Sequence, residues 1–236
     1  SYTNLKKKDY DLIFNCDSDN LISKKFFYKK VVKDYNSFAY ITSFEHEKLL
    51  DNHTASQVFT KRGPLAFLPI SSRETSVVIS FKGKDNINFK NLIKKHNLRY
   101  KILKMNKIFN FKLKSSNLRC YHHENFIAFG DLLHKLHPLA GQGFNMNIRD
   151  IKEIEKLIKT KIENGLNLDK SICFNFEKNT KAYNYLFSSG IDLIYEFFNI
   201  ESRANNNTLS KLIKFLGNKK FLNNFFKKVA NNGLAI

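Results

Sequence analysis

The sequence predicts an α/β (α+β) chain, with antiparallel β-sheet through its middle and helices at its C-terminal end. Three observations predict this. Residues 126–129 form a short apolar run, followed by a Pro- and Gly-containing turn and then isoleucines at helical spacing. Between residues 30 and 82, short apolar runs alternate with turn residues. From Asp169 onward, apolar residues recur with the period of a helix.

The bounds come from composition. With 236 residues, the chain can build one large or two small domains around a real core. No apolar run reaches the roughly 18 residues of a transmembrane helix, and no signal peptide is legible. The three cysteines, Cys16, Cys120 and Cys173, are far apart and lack metal-site spacing, which predicts a reducing, cytoplasmic setting. The formal charge of +19 is spread along the chain rather than gathered on one element, which argues against a nucleic-acid partner.

Taken in order, Leu12-Ile13-Phe14 reads as a buried strand and Asp17-Ser18-Asp19-Asn20 as a turn. Strands are expected at 38–44, 55–60, 65–70 and 76–81, with Arg62-Gly63-Pro64 and Ser71-Ser72-Arg73 as turns. His46 and His53, without a third ligand, are expected at the surface or sheet edge. A helix over 88–97 shares Phe89, Leu92 and Ile93 on one face, and 102–113 reads as strand. Tyr121-His122-His123 precedes the apolar run; adjacent strand residues face opposite ways, so the histidine pair is a poor metal site.

The stretch 130–150 carries the chemistry. Its Gly130-Asp131 closes a strand, and Ile148, Ile151, Ile154, Ile158 and Ile162 open a helix. An aspartate at a strand end can accept hydrogen bonds from ligand hydroxyls. Gly141 and Gly143 allow close backbone approach, and the helix N-terminus favours negative charge. In the C-terminal region Phe174, Ala182, Leu186, Leu193, Phe197 and Phe198 are expected in the core, and Gly190 as a break or bend. Asn205-Asn206-Asn207 reads as a loop, Thr208 as a helix cap, and 221–230 as a last helix able to pack on the body or lie on a membrane surface.

The string Gly130-Asp131, His134, Pro138, Gly141, Gly143, Asn145 and Asp150 resembles the second flavin-binding motif of the FAD-dependent aromatic hydroxylases. The wording His137-Pro138-Leu139-Ala140-Gly141-Gln142-Gly143 is most similar to the branch that hydroxylates ubiquinone precursors, and residues 63–69 resemble the same branch. Asp17 fits that family's Asp-Gly motif, though Ser18, Leu21 and Lys24 stand where the family has Gly, Ser and Arg. Ser18 puts the local backbone in question, because serine does not reach positive φ freely.

The resemblance implies a p-hydroxybenzoate-hydroxylase-like fold. Residues 1–29 and 119–165 would be parts of an incomplete, Rossmann-like FAD-binding domain, 30–118 a β-sheet substrate domain, and 166–236 a helical region. It implies FAD as cofactor and NAD(P)H as reductant, with O2 and a lipid-tailed phenol as substrates. Gly130, Asp131, His134, Pro138, Leu139, Ala140, Gly141, Gln142, Gly143, Phe144, Asn145 and Asp17 would hold the flavin, Asp131 at the ribityl chain. His134 and His137 would be positioning residues rather than bases, so no residue is assigned as catalytic. Peripheral contact with the inner face of a membrane, or with a quinone-synthesis complex, would follow.

Two other readings stay open: a flavoprotein of this fold acting on a soluble aromatic or an alkene, and a non-catalytic basic module or decayed fragment. No Gly-x-Gly-x-x-Gly turn is present and the first residue is Ser1, so the chain is expected to be the C-terminal part of a longer protein, inactive alone.

Overall fold

In this computed structural model, residues 10–60, 63–82, 88–137 and 142–204 are described. They divide into two compact units, one of residues 1–33 and 115–236 and the other of 34–114. The boundary falls inside two long strands.

The first unit begins with β1 (Ile13–Asn15), a turn, and α1 (Leu21–Phe26), capped by the Asn20 side chain accepting from Ser23 N–H at 2.8 Å. β2 (Lys30–His46) leads into the second unit, which continues with β3 (Ser56–Thr60), β4 (Gly63–Pro69), β5 (Glu74–Lys82), α2 (Phe89–His96), β6 (Ile102–Met105) and most of β7 (Phe109–Leu118). The chain then returns to the first unit through β8 (His122–His123), β9 (Phe126–Ala128), a 3-10 turn (Gly130–Leu132), β10 (His134–Lys135), α3 (Gln142–Glu163) and α4 (Lys170–Ala204).

In the second unit the strands pair antiparallel, β3 on β4, β4 on β5 and β5 on β2, with β6 also on β2. Alternation explains the pairing. Leu65 and Phe67 on β4, and Val77, Ile79 and Phe81 on β5, point to one face and are buried. α2 lays Phe89 and Ile93 against them, and Phe44 and Tyr100 complete the cluster. β2 is far longer than the expected 38–44. Its Tyr35, Ser37 and Ala39 are buried in one phase, then Thr42, Phe44 and His46 in the other, so no single alternation marks it. Gly63 and Pro64 belong to β4 rather than to a turn. Gly63 has φ 145, and a Cβ there would lie 1.9 Å from Ser80 O, so only glycine allows β5 this close. The expected strand 102–113 is two strands, separated at 106–108.

The first unit buries β9 completely, between Phe27 and Tyr121 and the α3 and α4 residues Ile154, Ile172, Cys173 and Phe176. Phe14 is not buried as expected but 44% exposed, its ring edge-on to Phe129 at 5.7 Å. Two isoleucines of the predicted stripe, Ile151 and Ile162, are exposed; Ile154 carries the contact with help from Leu157 and Ile158. α4 runs through Gly190 without interruption. Its buried face is not the expected one. Ile172, Phe176, Thr180, Asn184, Ser188, Ile191 and Tyr195 are inside, while Phe174, Ala182, Leu186 and Leu193 are exposed. The sequence presents two apolar stripes on this helix, and packing chose the one that also carries polar residues. No helix among the described residues is long and apolar enough to cross a membrane. The side chains of Phe197 and Phe198, and everything expected after Ala204, lie outside the described residues.

Candidate functional site

β1 and β9 pair in parallel, with Ile13 opposite Phe126, Phe14 opposite Ile127 and Asn15 opposite Ala128. Both motif turns therefore leave the same carboxyl edge of one strand pair. In parallel sheets that edge is where ligands bind. The contact continues past the strands, with Phe129 N–H donating to Asn15 O at 2.9 Å.

The first turn is held by side chains. Asn15 donates to Ser23 Oγ at 2.8 Å and accepts from Asn20 at 2.6 Å, and Ser23 Oγ donates to the Asp17 carbonyl. Asp17 accepts from Asp19 N–H at 2.8 Å and is exposed. Ser18 needs no left-handed backbone: among described non-glycine residues only Asn36 and Glu124 have positive φ. That removes the doubt raised by serine in the glycine position.

The second turn starts at Gly130, whose φ of 62 makes glycine the favoured residue there. Asp131 follows on the 3-10 turn with its side chain exposed. His134 opens β10, paired opposite Asn117 of β7, and its ring is buried. His134 Nε2 lies 2.5 Å from Asp150 Oδ2, and Asn184 Nδ2 donates to Asp150 Oδ1 at 3.2 Å. His137 is buried against the Tyr195 ring at 4.3 Å; burial, helped by the Lys33 charge, pushes its pKa down to about 4. Pro138, Leu139, Ala140 and Gly141 lie outside the described residues. Gln142 begins α3, with Gly143, Phe144 and Asn145 in its first turn. Phe144 is 72% exposed.

These residues fit a flavin on three counts. A Cβ at Gly130 or at Gly143 would meet nothing within 4 Å, so both glycines border open space. The first turn of α3 holds no acidic residue to compete for its N–H groups. Asp131, next in sequence to Gly130, is an exposed acidic side chain. Among the described residues no three His, Cys, Asp or Glu are placed to hold a metal ion. Burial pushes the Cys173 thiol up to about 11, which leaves it inert as a nucleophile.

No family model matches the chain. It is 29% identical over 152 residues to the 3-demethoxyubiquinol 3-hydroxylase of Escherichia coli, covering 60% of this chain and 39% of that one. It is 31% identical over 70 residues to the mitochondrial ubiquinone biosynthesis monooxygenase COQ6 of Dictyostelium discoideum, covering 29% and 14%. Among solved structures, OxyS anhydrotetracycline hydroxylase from Streptomyces rimosus superposes with a TM-score of 0.65 at 14% identity, over 93% of this chain and 46% of that one. The flavin-dependent brominase Bmp2 gives 0.67 at 10%, over 95% and 58%. The fold is that of the FAD-binding hydroxylases.

Within this hydroxylase fold the chain spans about two fifths of the length of its E. coli relative. Two features were not expected from the sequence, one outside the site and one within it. His46, expected at the surface or sheet edge, is fully buried in the second unit. Asn184 was not singled out at all. A signal existed: Thr180, Asn184 and Ser188 recur every four residues on the face that also holds Phe176, and polar residues at that spacing mark a helix face turned to something polar.

Proposed function

We propose that the protein is an FAD-dependent, NAD(P)H-using monooxygenase that hydroxylates the aromatic ring of a lipid-tailed phenol, in the manner of a ubiquinone-precursor hydroxylase. The observation that carries this reading is the parallel β1–β9 pair, which brings both motif turns, Asp17 and Gly130-Asp131, to one carboxyl edge. The names of the relatives support the substrate class.

Bound FAD would supply the oxygen-activating chemistry. The chain's own residues bind, orient and stabilise. The Asp131 carboxylate would accept hydrogen bonds from the ribityl hydroxyls. By the resemblance residues 138–143 would line the ring, and the free N–H groups at the start of α3 would stabilise negative charge on it. His134 and His137 position this turn. Asp17 closes its own turn beside the same edge.

The test is Asp131→Ala in the full-length protein. Removing charge-assisted hydrogen bonds should weaken FAD binding about tenfold to a hundredfold, read by flavin fluorescence. Unchanged affinity with an intact circular dichroism spectrum overturns the assignment. Substrate-stimulated NAD(P)H oxidation, tried with prenylated and soluble phenols, decides between a lipid-tailed and a soluble substrate.

A further inference from the structure

Asp150, His134 and Asn184 meet inside the first unit, at 1%, 2% and 6% exposure. Both oxygens of the carboxylate are engaged, one by His134 Nε2 and the other by Asn184. Burying a charge this deeply is costly, and apolar side chains of similar volume would join the same elements at lower cost. The pair therefore calls for a role other than stability. With Nε2 facing the carboxylate, Nδ1 is the ring's remaining polar position; it is buried and has no hydrogen-bond partner among the described residues.

The sequence positions show what is being tied. His134 lies on β10, just before the residues assigned above to the flavin ring, and Asp150 lies about two turns into α3, just after them. One carboxylate thus fixes both ends of that segment. Asn184, on α4, fixes the carboxylate. From this we infer that Asn184, Asp150 and His134 form a positioning relay that sets the spacing between β10 and the N-terminus of α3, and that α4 acts on the flavin site through Asn184. The inference rests on the flavin reading above.

Four variants and two measurements test it in the full-length protein. An imidazole N–H held by a buried carboxylate gives a far-downfield proton resonance. It should be present in the native protein, absent in His134→Gln and Asp150→Asn, and shifted in Asn184→Leu. This measurement needs no flavin. The second is FAD titration: Asn184→Leu, which keeps the volume and removes the amide, should raise the FAD Kd about tenfold. Thr180→Val is the control. Its hydroxyl donates to Phe176 O on the same buried face, one turn from Asn184, so it should change neither the resonance nor the affinity. Native affinity in Asn184→Leu, or an equal loss in Thr180→Val, overturns the positioning role. No downfield resonance in the native protein overturns the relay while leaving the flavin reading intact. A native protein that shows the resonance but binds no FAD sinks the flavin reading instead, and with it the relay's role toward a cofactor.

Discussion

Both units bury histidine, and His46 of the second and His134 of the first are used in opposite ways. His46 sits in the second unit with both ring nitrogens partnered, Nδ1 to Glu47 O at 2.8 Å and Nε2 to Thr75 Oγ1 at 3.1 Å. Asn52 closes the knot, donating to Ser71 O at 2.7 Å and accepting from Tyr100 OH at 3.1 Å. Every partner is neutral and every hydrogen bond stays within the sheet and its loops. His134 sits in the first unit with a carboxylate on one nitrogen and, among the described residues, no hydrogen-bond partner on the other. Asn147 Oδ1 and Arg149 Nη2, on α3 with Asp150, are also buried without hydrogen-bond partners among the described residues, and burial pushes the Arg149 pKa down. A closed neutral network is how a fold accommodates polar groups. An open, charged one carries a cost that folding alone does not require, and such sites cluster where ligands are held.

That contrast can be broken by experiment, and the largest effect is expected at Asp150. Asp150→Ala strands His134 and Asn184, and should cost about 3–5 kcal/mol in urea unfolding of the full-length protein. If the loss is no larger than at His46, the two networks do not differ in kind.

A pH titration comes next. The His137 pKa is lowered to about 4 from 6.5, so the folded protein excludes a proton that the unfolded chain binds. Its contribution is complete above pH 6.5 and is lost as pH falls through that window toward 4. At the acid end up to about 3 kcal/mol is at stake. In His137→Gln the slope of stability against pH should flatten between those values; an unchanged slope assigns acid sensitivity to other groups.

His46→Ala should cost less, about 1–3 kcal/mol from unsatisfied Thr75 and Asn52, and should leave FAD affinity unchanged. A parallel loss of flavin would make the closed knot part of the site after all. Smallest is Gly143→Ala. The added methyl meets nothing and replaces a poor helix former, so the fold should gain about 0.5–1 kcal/mol while flavin binding weakens. Opposite signs in a thermal melt and an FAD titration sharpen the contrast, whereas a gain in both would place the open space at Gly143 outside the site.

Much of the second unit was legible, because period-two alternation such as Leu65 and Phe67 against Val77, Ile79 and Phe81 follows directly from strand geometry. β2 was underread because its buried face changes partway along, and a local pattern cannot show that. At the site, the motif residues were legible as types in order, since a strand end, an aspartate and glycines at fixed spacing each serve a local need of the backbone.

Local chemistry by itself determined the strand–turn–helix joint at 130–150, the turn at 17–20, the helix over 88–97, and the resemblance to the FAD-dependent hydroxylases. Those depend on neighbours within a few residues, which the sequence places side by side. Tertiary structure alone decided which stripe of α4 is buried, that His46 is interior, and that Asn184 meets Asp150. Either stripe of α4 satisfies helical periodicity. Only packing selects the one bearing Thr180, Asn184 and Ser188, because Asn184 then meets Asp150 of α3 and Ser188 accepts from Asn117 of β7.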